Sequence, residues 1–115
     1  MVVRPDQRET EHRKNMRGGN GECVLTPLAG KILQKHCRLF TEILIPAGAG
    51  IGRHEHSAET EYYYILEGRS VVDDNGTAVE VGPGDLVVTT GGAFHSIEAG
   101  LGGSLRMLAV IITDD

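Results

Sequence analysis

From residue 22 onward the chain is a succession of short β-branched and apolar runs, broken by glycine and proline turns at intervals of roughly eight to twelve residues. The runs are Glu22 to Leu28, Cys37 to Ile45, Tyr62 to Leu66, Arg69 to Asp73, Thr77 to Val81, Leu86 to Thr90, Phe94 to Glu98 and Ser104 to Ile112. Pro46-Ala47-Gly48 closes the second run, Glu67-Gly68 the third, and Gly82-Pro83-Gly84-Asp85 leads into Leu86. Between Asp73 and Thr77 stands Asp74-Asn75-Gly76, and Asn-Gly is the strongest short hairpin signal because both turn positions need positive φ. Only Leu28 to Lys35 offers a helix, and Gly30 inside it argues against one. Roughly eight to ten short strands in 115 residues predict one all-β domain, a sandwich or barrel. Residues 1–21 are polar and end in Arg17-Gly18-Gly19-Asn20-Gly21, which is turn chemistry, so they read as an irregular arm ahead of a β domain over 22–115.

A net charge of −5 argues against nucleic acid and anionic membrane surfaces as partners. No apolar run approaches the roughly eighteen residues of a spanning helix, and the first 21 residues lack the apolar stretch of a secretory signal, so a cytoplasmic location is expected. Cys23 and Cys37 are not in Cys-x-x-Cys spacing and read as two reduced, partly buried thiols. No Ser-His-Asp or Cys-His pairing emerges, and Gly82-Pro83-Gly84-Asp85 lacks the strand-to-helix context of a phosphate loop.

The chemistry-bearing segment is Arg53-His54-Glu55-His56-Ser57-Ala58-Glu59-Thr60-Glu61, answered far along the chain by His95. Side chains alternate across a strand, so His54 and His56 leave one face about 7 Å apart. Both can then reach a single ion at roughly 2.1 Å from each nitrogen. Glu61 has the opposite parity from His56 and joins them only if residues 57–60 form a turn or bulge. His95 has to arrive from another strand, as inward positions do inside a small barrel. Three imidazoles and a carboxylate of this kind look like the first shell of one divalent metal ion.

In these residues the chain resembles the cupin superfamily. The first cupin motif runs glycine, five residues, His-x-His, three or four residues, glutamate, six residues, glycine, and Gly48, His54, His56, Glu61 and Gly68 fill every position. In the second, Gly84, Gly92 and His95 match, while Thr90 stands where proline is usual and Ala99 where asparagine is usual. The match covers Cys37 to Ile112 and leaves the arm outside. The resemblance implies a double-stranded β-helix, or jelly roll, with His54, His56, Glu61 and His95 as metal ligands near one mouth of the barrel. Glu59 is the rival carboxylate, and the spacing to Gly68 favours Glu61. The short arm-bearing architecture looks like the small cupins grouped with oxalate decarboxylases, which is fold analogy rather than a derived activity.

Three nitrogens and one carboxylate leave two adjacent positions open on an octahedral ion and suit manganese, iron, nickel or zinc. The histidines must be neutral to bind, so affinity should fall below about pH 6. If Glu61 faces inward so does Tyr63, a candidate substrate-pocket residue or else a core tyrosine; Tyr62 and Tyr64 face out, toward a second layer or a subunit. Arg53 and Glu55 alternate with the histidines and belong on the rim. Arg17 meets an anion only if the arm folds over the mouth, and His12 and His36 have no partners at ligand spacing. The reading that follows is a metal-dependent enzyme acting on a small oxygenated metabolite (a carboxylic acid, diketone or sugar derivative), by oxygenase or decarboxylase chemistry with iron or manganese, or isomerase or lyase chemistry with zinc or nickel. No general base can be named. The alternative is a non-catalytic module that binds or senses a small ligand. A small jelly roll has edge strands to cover, so a homodimer is expected.

Overall fold

The computed structural model describes residues 1–115, and its ten strands form two antiparallel sheets. In chain order these are β1 (Glu11–Lys14), β2 (Glu22–Pro27), β3 (Cys37–Ile45), β4 (Gly50–Glu55), β5 (Glu59–Glu67), β6 (Ser70–Asp74), β7 (Thr77–Val81), β8 (Leu86–Thr89), β9 (Phe94–Ala99) and β10 (Leu105–Thr113). One sheet has six strands in the order β1-β2-β3-β10-β5-β8, the other four in the order β4-β9-β6-β7. Two antiparallel sheets with this crossing connectivity make the expected jelly roll. No helix is long and apolar enough to cross a membrane.

Period-two burial makes the core. Along β10, Leu105, Met107, Ala109 and Ile111 are buried while the residues between them are not. Ile43 and Ile45 of β3, Ile65 of β5, Val72 of β6 and Ile97 of β9 meet them between the sheets. Each such side chain contributes about 1.5–3 kcal/mol on leaving water. The β6–β7 hairpin turns on Asn75 (φ 49°) and Gly76 (φ 97°), as the Asn-Gly pair requires, and the Asp73 carboxylate accepts the Gly76 N–H. Residues 28–36 hold turns and no helix, in keeping with Gly30.

Two features go beyond the sequence reading. Gly50 to Glu55 is a full strand although its first residues are glycine, isoleucine and glycine; sheet pairing to β9 overrides the weak local preference. The first 21 residues are also more ordered than a polar arm suggests. Their β1 pairs with β2 of the same chain, Glu11 opposite Leu25 through Lys14 opposite Glu22. Beyond it a 3₁₀ turn, Met16–Gly18, lies on β4. Polar side chains do not forbid this, because backbone groups supply the bonds: Asn15 N–H to Gly21, Gly18 N–H to Asn15, and Gly50 N–H to Asn20. The contact is so close that a Cβ on Gly52 would collide with the Arg17 carbonyl, and one on Gly19 with the Gly50 carbonyl.

Gly52→Ala should therefore lower stability by about 1–3 kcal/mol through overpacking. Gly102→Ala, where a Cβ meets open space, should change it by less than about 0.5 kcal/mol. Urea unfolding of the two variants measures the difference, and equal midpoints would contradict this packing.

Candidate metal centre

His54 on β4 and His95 on β9 are directly paired across neighbouring strands. A register shift between Ile51 and His54 frees the Gly52 carbonyl, which accepts the N–H of His54 Nδ1 at 2.8 Å. His56 lies just past the end of β4, where Ala58 at φ 56° breaks the strand before β5 begins. That left-handed residue is the parity break that lets Glu61 face the same space as the histidines. The Thr90–Ala93 turn forms without a proline, with Gly92 at φ 87°. It is clasped to His56 by two backbone bonds, His56 N–H to Ala93 and Gly92 N–H to His56. Ala99 is buried and its N–H bonds Ala49, so the usual asparagine is not needed to end β9.

The four ligand atoms of His54, His56, Glu61 and His95 lie within 4.8 Å of one another, on largely buried side chains. His95 Nε2 is 2.9 Å from His54 Nε2 and 3.0 Å from His56 Nε2. Glu61 Oε1 is 2.8 Å from His56 Nε2, 2.9 Å from His95 Nε2 and 3.6 Å from His54 Nε2. At about 2.1 Å from a shared ion, adjacent octahedral donors stand about 3.0 Å apart, and tetrahedral ones about 3.4 Å. Most of the measured separations suit the octahedral edge.

Each imidazole is held from behind. His54 gives its Nδ1 hydrogen to a carbonyl, and His56 Nδ1 meets the Glu59 carboxylate at 2.6 Å. His95 Nδ1 meets the Thr89 hydroxyl at 2.7 Å. Glu59 is fixed in turn by Arg38 through two bonds of 3.0 and 2.9 Å. With hydrogen on Nδ1, His54 and His56 present bare lone pairs on Nε2. Glu61 Oε1, buried and without a hydrogen-bond donor, presents another. Lone pairs crowded this way repel unless a cation sits among them, so the donor set fits one divalent ion.

Burial pushes the Glu61 carboxyl up, but the adjacent His54 and His95 imidazoles more than offset it and hold it at about 2. Burial pushes His95 down, against the pull of Glu61, which favours the neutral imidazole. Tyr63 is buried, and its ring stacks on His95 with centroids 4.8 Å apart and planes 8° from parallel. Burial, then the charge of Glu61, raises its hydroxyl well above the ordinary tyrosine range, with the Arg17 guanidinium opposing.

A cavity of about 580 Å³ opens onto His54, His56, Glu61 and Tyr63. Its apolar wall includes Leu39, Ile43 and Ile111, and Arg13, Lys14, Arg17 and Arg38 also line it. Thus Arg17, whose default was solvent, shares the cavity with the candidate ligands. Glu59, weighed as a rival ligand, instead grips His56 from outside. Thr89 and Arg38 had no motif to announce them. Arg53 and Glu55 are exposed, Arg53 pairing with Asp73 at 2.9 Å and lying 4.4 Å over the Phe94 ring. His12 and His36 are exposed and remote from the cluster, and both cysteines are free.

Comparison with known proteins follows the same lines. The Cupin domain family matches residues 41–111. Over 113 residues the chain is 42% identical to an oxalate-binding protein of Thermotoga maritima, covering 97% of this chain and 93% of that protein. The crystal structure of a predicted oxalate decarboxylase from Thermotoga maritima, also 42% identical, superposes with a TM-score of 0.87 over 98% of this chain and 99% of that one. The polyketide cyclase RemF of Streptomyces resistomycificus superposes with a TM-score of 0.79 over 100% of this chain and 80% of its own, and at 21% identity shares the fold alone.

In protein stripped with chelator at pH 8, nitrogen NMR should find His54 and His56 as Nδ1–H tautomers. Nε2–H tautomers at both would contradict the bonds to Gly52 and Glu59.

Proposed function

This chain belongs to the cupin family, and from that premise we propose that it is a metal-dependent enzyme acting on a small carboxylic acid or related oxygenated metabolite. The observation that carries the proposal is the convergence of three imidazole nitrogens on the Glu61 oxygen, with the hydrogens of His54 and His56 drawn away to the Gly52 carbonyl and to Glu59. His54, His56, Glu61 and His95 would hold one ion of manganese, iron, nickel or zinc. Such an ion supplies Lewis acidity to a carboxylate or carbonyl oxygen. The similarity to an oxalate-binding protein supports a ligand of that size and charge.

The remaining groups position and shield. Tyr63 keeps its hydrogen because burial raises its hydroxyl, so it serves as a donor to a substrate oxygen and not as a base. Ile43 and Ile111 give the cavity a water-excluding wall. Both nearby carboxylates are committed, Glu61 among the imidazoles and Glu59 to Arg38 and His56. This shortage of a free base favours chemistry in which the substrate loses carbon dioxide or meets dioxygen over proton abstraction. It also supports a second reading, a module that binds a small acid without turning it over.

Elemental analysis of protein purified without added metal should give one divalent ion per chain. Glu61→Gln should abolish uptake, and Glu59→Gln should weaken it about 10–100-fold by releasing His56. With the manganese or iron form, loss of oxalate should be followed with and without dioxygen. Turnover in both atmospheres excludes the oxygenase branch, and oxalate-dependent thermal stabilisation without turnover selects the binding module.

We further propose a homodimer through the outer face of the six-stranded sheet. Leu44, Tyr64, Leu86, Val88 and Ile112 are exposed there on the adjacent strands β3, β5, β8 and β10, and neighbouring apolar residues of this kind mark an interface. β1 is already paired within its own chain, so the sheet face, rather than the arm, is what a second copy would cover. Light scattering at micromolar concentration should give a dimer mass for the wild type and a monomer mass for Val88→Lys. A wild-type monomer would contradict the proposal.

A further inference from the structure

The cavity beside the imidazole cluster is more cationic than its chain. The protein carries a net charge of −5, yet Arg13, Lys14, Arg17 and Arg38 all line this one cavity. Two of these charges are spoken for. Arg13 is held by Glu11 through bonds of 3.0 and 3.2 Å, and Arg38 by Glu59 at 3.0 and 2.9 Å. Lys14 and Arg17 make no ion pair and no side-chain hydrogen bond.

Arg17 is also held in an unusual way. Its backbone is left-handed, at φ 53° and ψ 32°, a conformation in which a non-glycine side chain is disfavoured. Of the four positive-φ residues in this segment, Gly18, Gly21 and Asn15 are types that tolerate the conformation, and Arg17 is the exception. The surrounding structure enforces that placement. Residues 15–21 close on themselves through the Asn15 N–H to Gly21 bond and the Asn15 side-chain amide to Gly19 bond. The Arg17 carbonyl is pressed against Gly52, two residues before His54. Backbone strain of this kind recurs where a side chain has a task.

We infer that Arg17, with Lys14 beside it, is the anion-recognition group of this cavity and selects dianionic dicarboxylates over monocarboxylates. The inference rests on the metal reading above. One carboxylate of the ligand would meet the ion held by His54, His56, Glu61 and His95. The other would meet the Arg17 guanidinium, whose planar pair of N–H groups matches a carboxylate. A divalent ion and Glu61 leave one positive charge at the centre, and unpaired Arg17 and Lys14 supply two more at the cavity wall. A dianion meets positive charge at both of its ends, and a monoanion at only one. The segment outside the family's matched residues 41–111 would thereby set what the cluster accepts.

The test is calorimetric titration of oxalate and of acetate into manganese-loaded wild type, Arg17→Gly and Arg17→Lys at fixed ionic strength. Arg17→Gly relaxes the left-handed backbone and so leaves the fold intact; Arg17→Lys keeps the charge but loses the planar fork. Manganese content is measured on every sample. The expected result is a roughly 10–100-fold loss of oxalate affinity in Arg17→Gly, the worth of a charge-assisted pair. Acetate affinity should change less than about threefold, Arg17→Lys should recover part of the loss, and manganese content should stay constant. Equal oxalate affinity in wild type and Arg17→Gly, with manganese bound in both, overturns the role of Arg17 alone. A wild type that takes up no manganese overturns the metal reading, and this inference with it.

Discussion

The structure turns on the cost of placing a carboxylate and three imidazoles in the same buried space. A buried carboxylate without partners is expensive; protonated imidazoles hold Glu61 low, but neutral ones that present lone pairs from about 3 Å do not relieve it. The protein nevertheless holds the four groups there through contacts made behind them: the Gly52 carbonyl on His54, Glu59 on His56 and Thr89 on His95. The first two contacts fix hydrogens on the outer nitrogens of His54 and His56, and all three turn the inner nitrogens toward Glu61. A site so built is organised for a cation.

Each part of the fold that departs from plain strand geometry serves that arrangement. The shift in β4–β9 pairing releases the Gly52 carbonyl, Ala58 in the left-handed region restores the parity of Glu61, and the Thr90–Ala93 turn is bonded at both edges to His56. Tyr63 stacked on His95 closes the inner side. An aromatic pair of this kind is worth about 0.5–1.5 kcal/mol beyond its burial and also restrains the ring orientation.

Much of this was legible in the residues. Alternating apolar runs and turn dipeptides gave the strands because burial period and turn chemistry are local properties, and the Asn75-Gly76 hairpin formed where the pair demanded it. The four clustered residues were legible through spacing, since glycines at fixed distances from the histidines report the turns that bring them together. What the sequence hid was non-local. Nothing near Glu59 says that it reaches back to His56 and across to Arg38, and Thr89 has no signal beyond its alternation in β8. The order of residues 11–21 was hidden for a related reason: β1 and the Met16–Gly18 turn are held by backbone bonds and glycine-tight packing, which hydrophobic patterning does not record.

The central claim is that one cation belongs at the meeting point of these donors. It is tested most directly by anomalous scattering at the absorption edge of the metal in crystals of protein purified without a chelator. The account predicts a single peak about 2.0–2.3 Å from the Nε2 atoms of His54, His56 and His95 and from Oε1 of Glu61. The absence of a peak there after soaking in manganese, with the four side chains ordered as described, would contradict it.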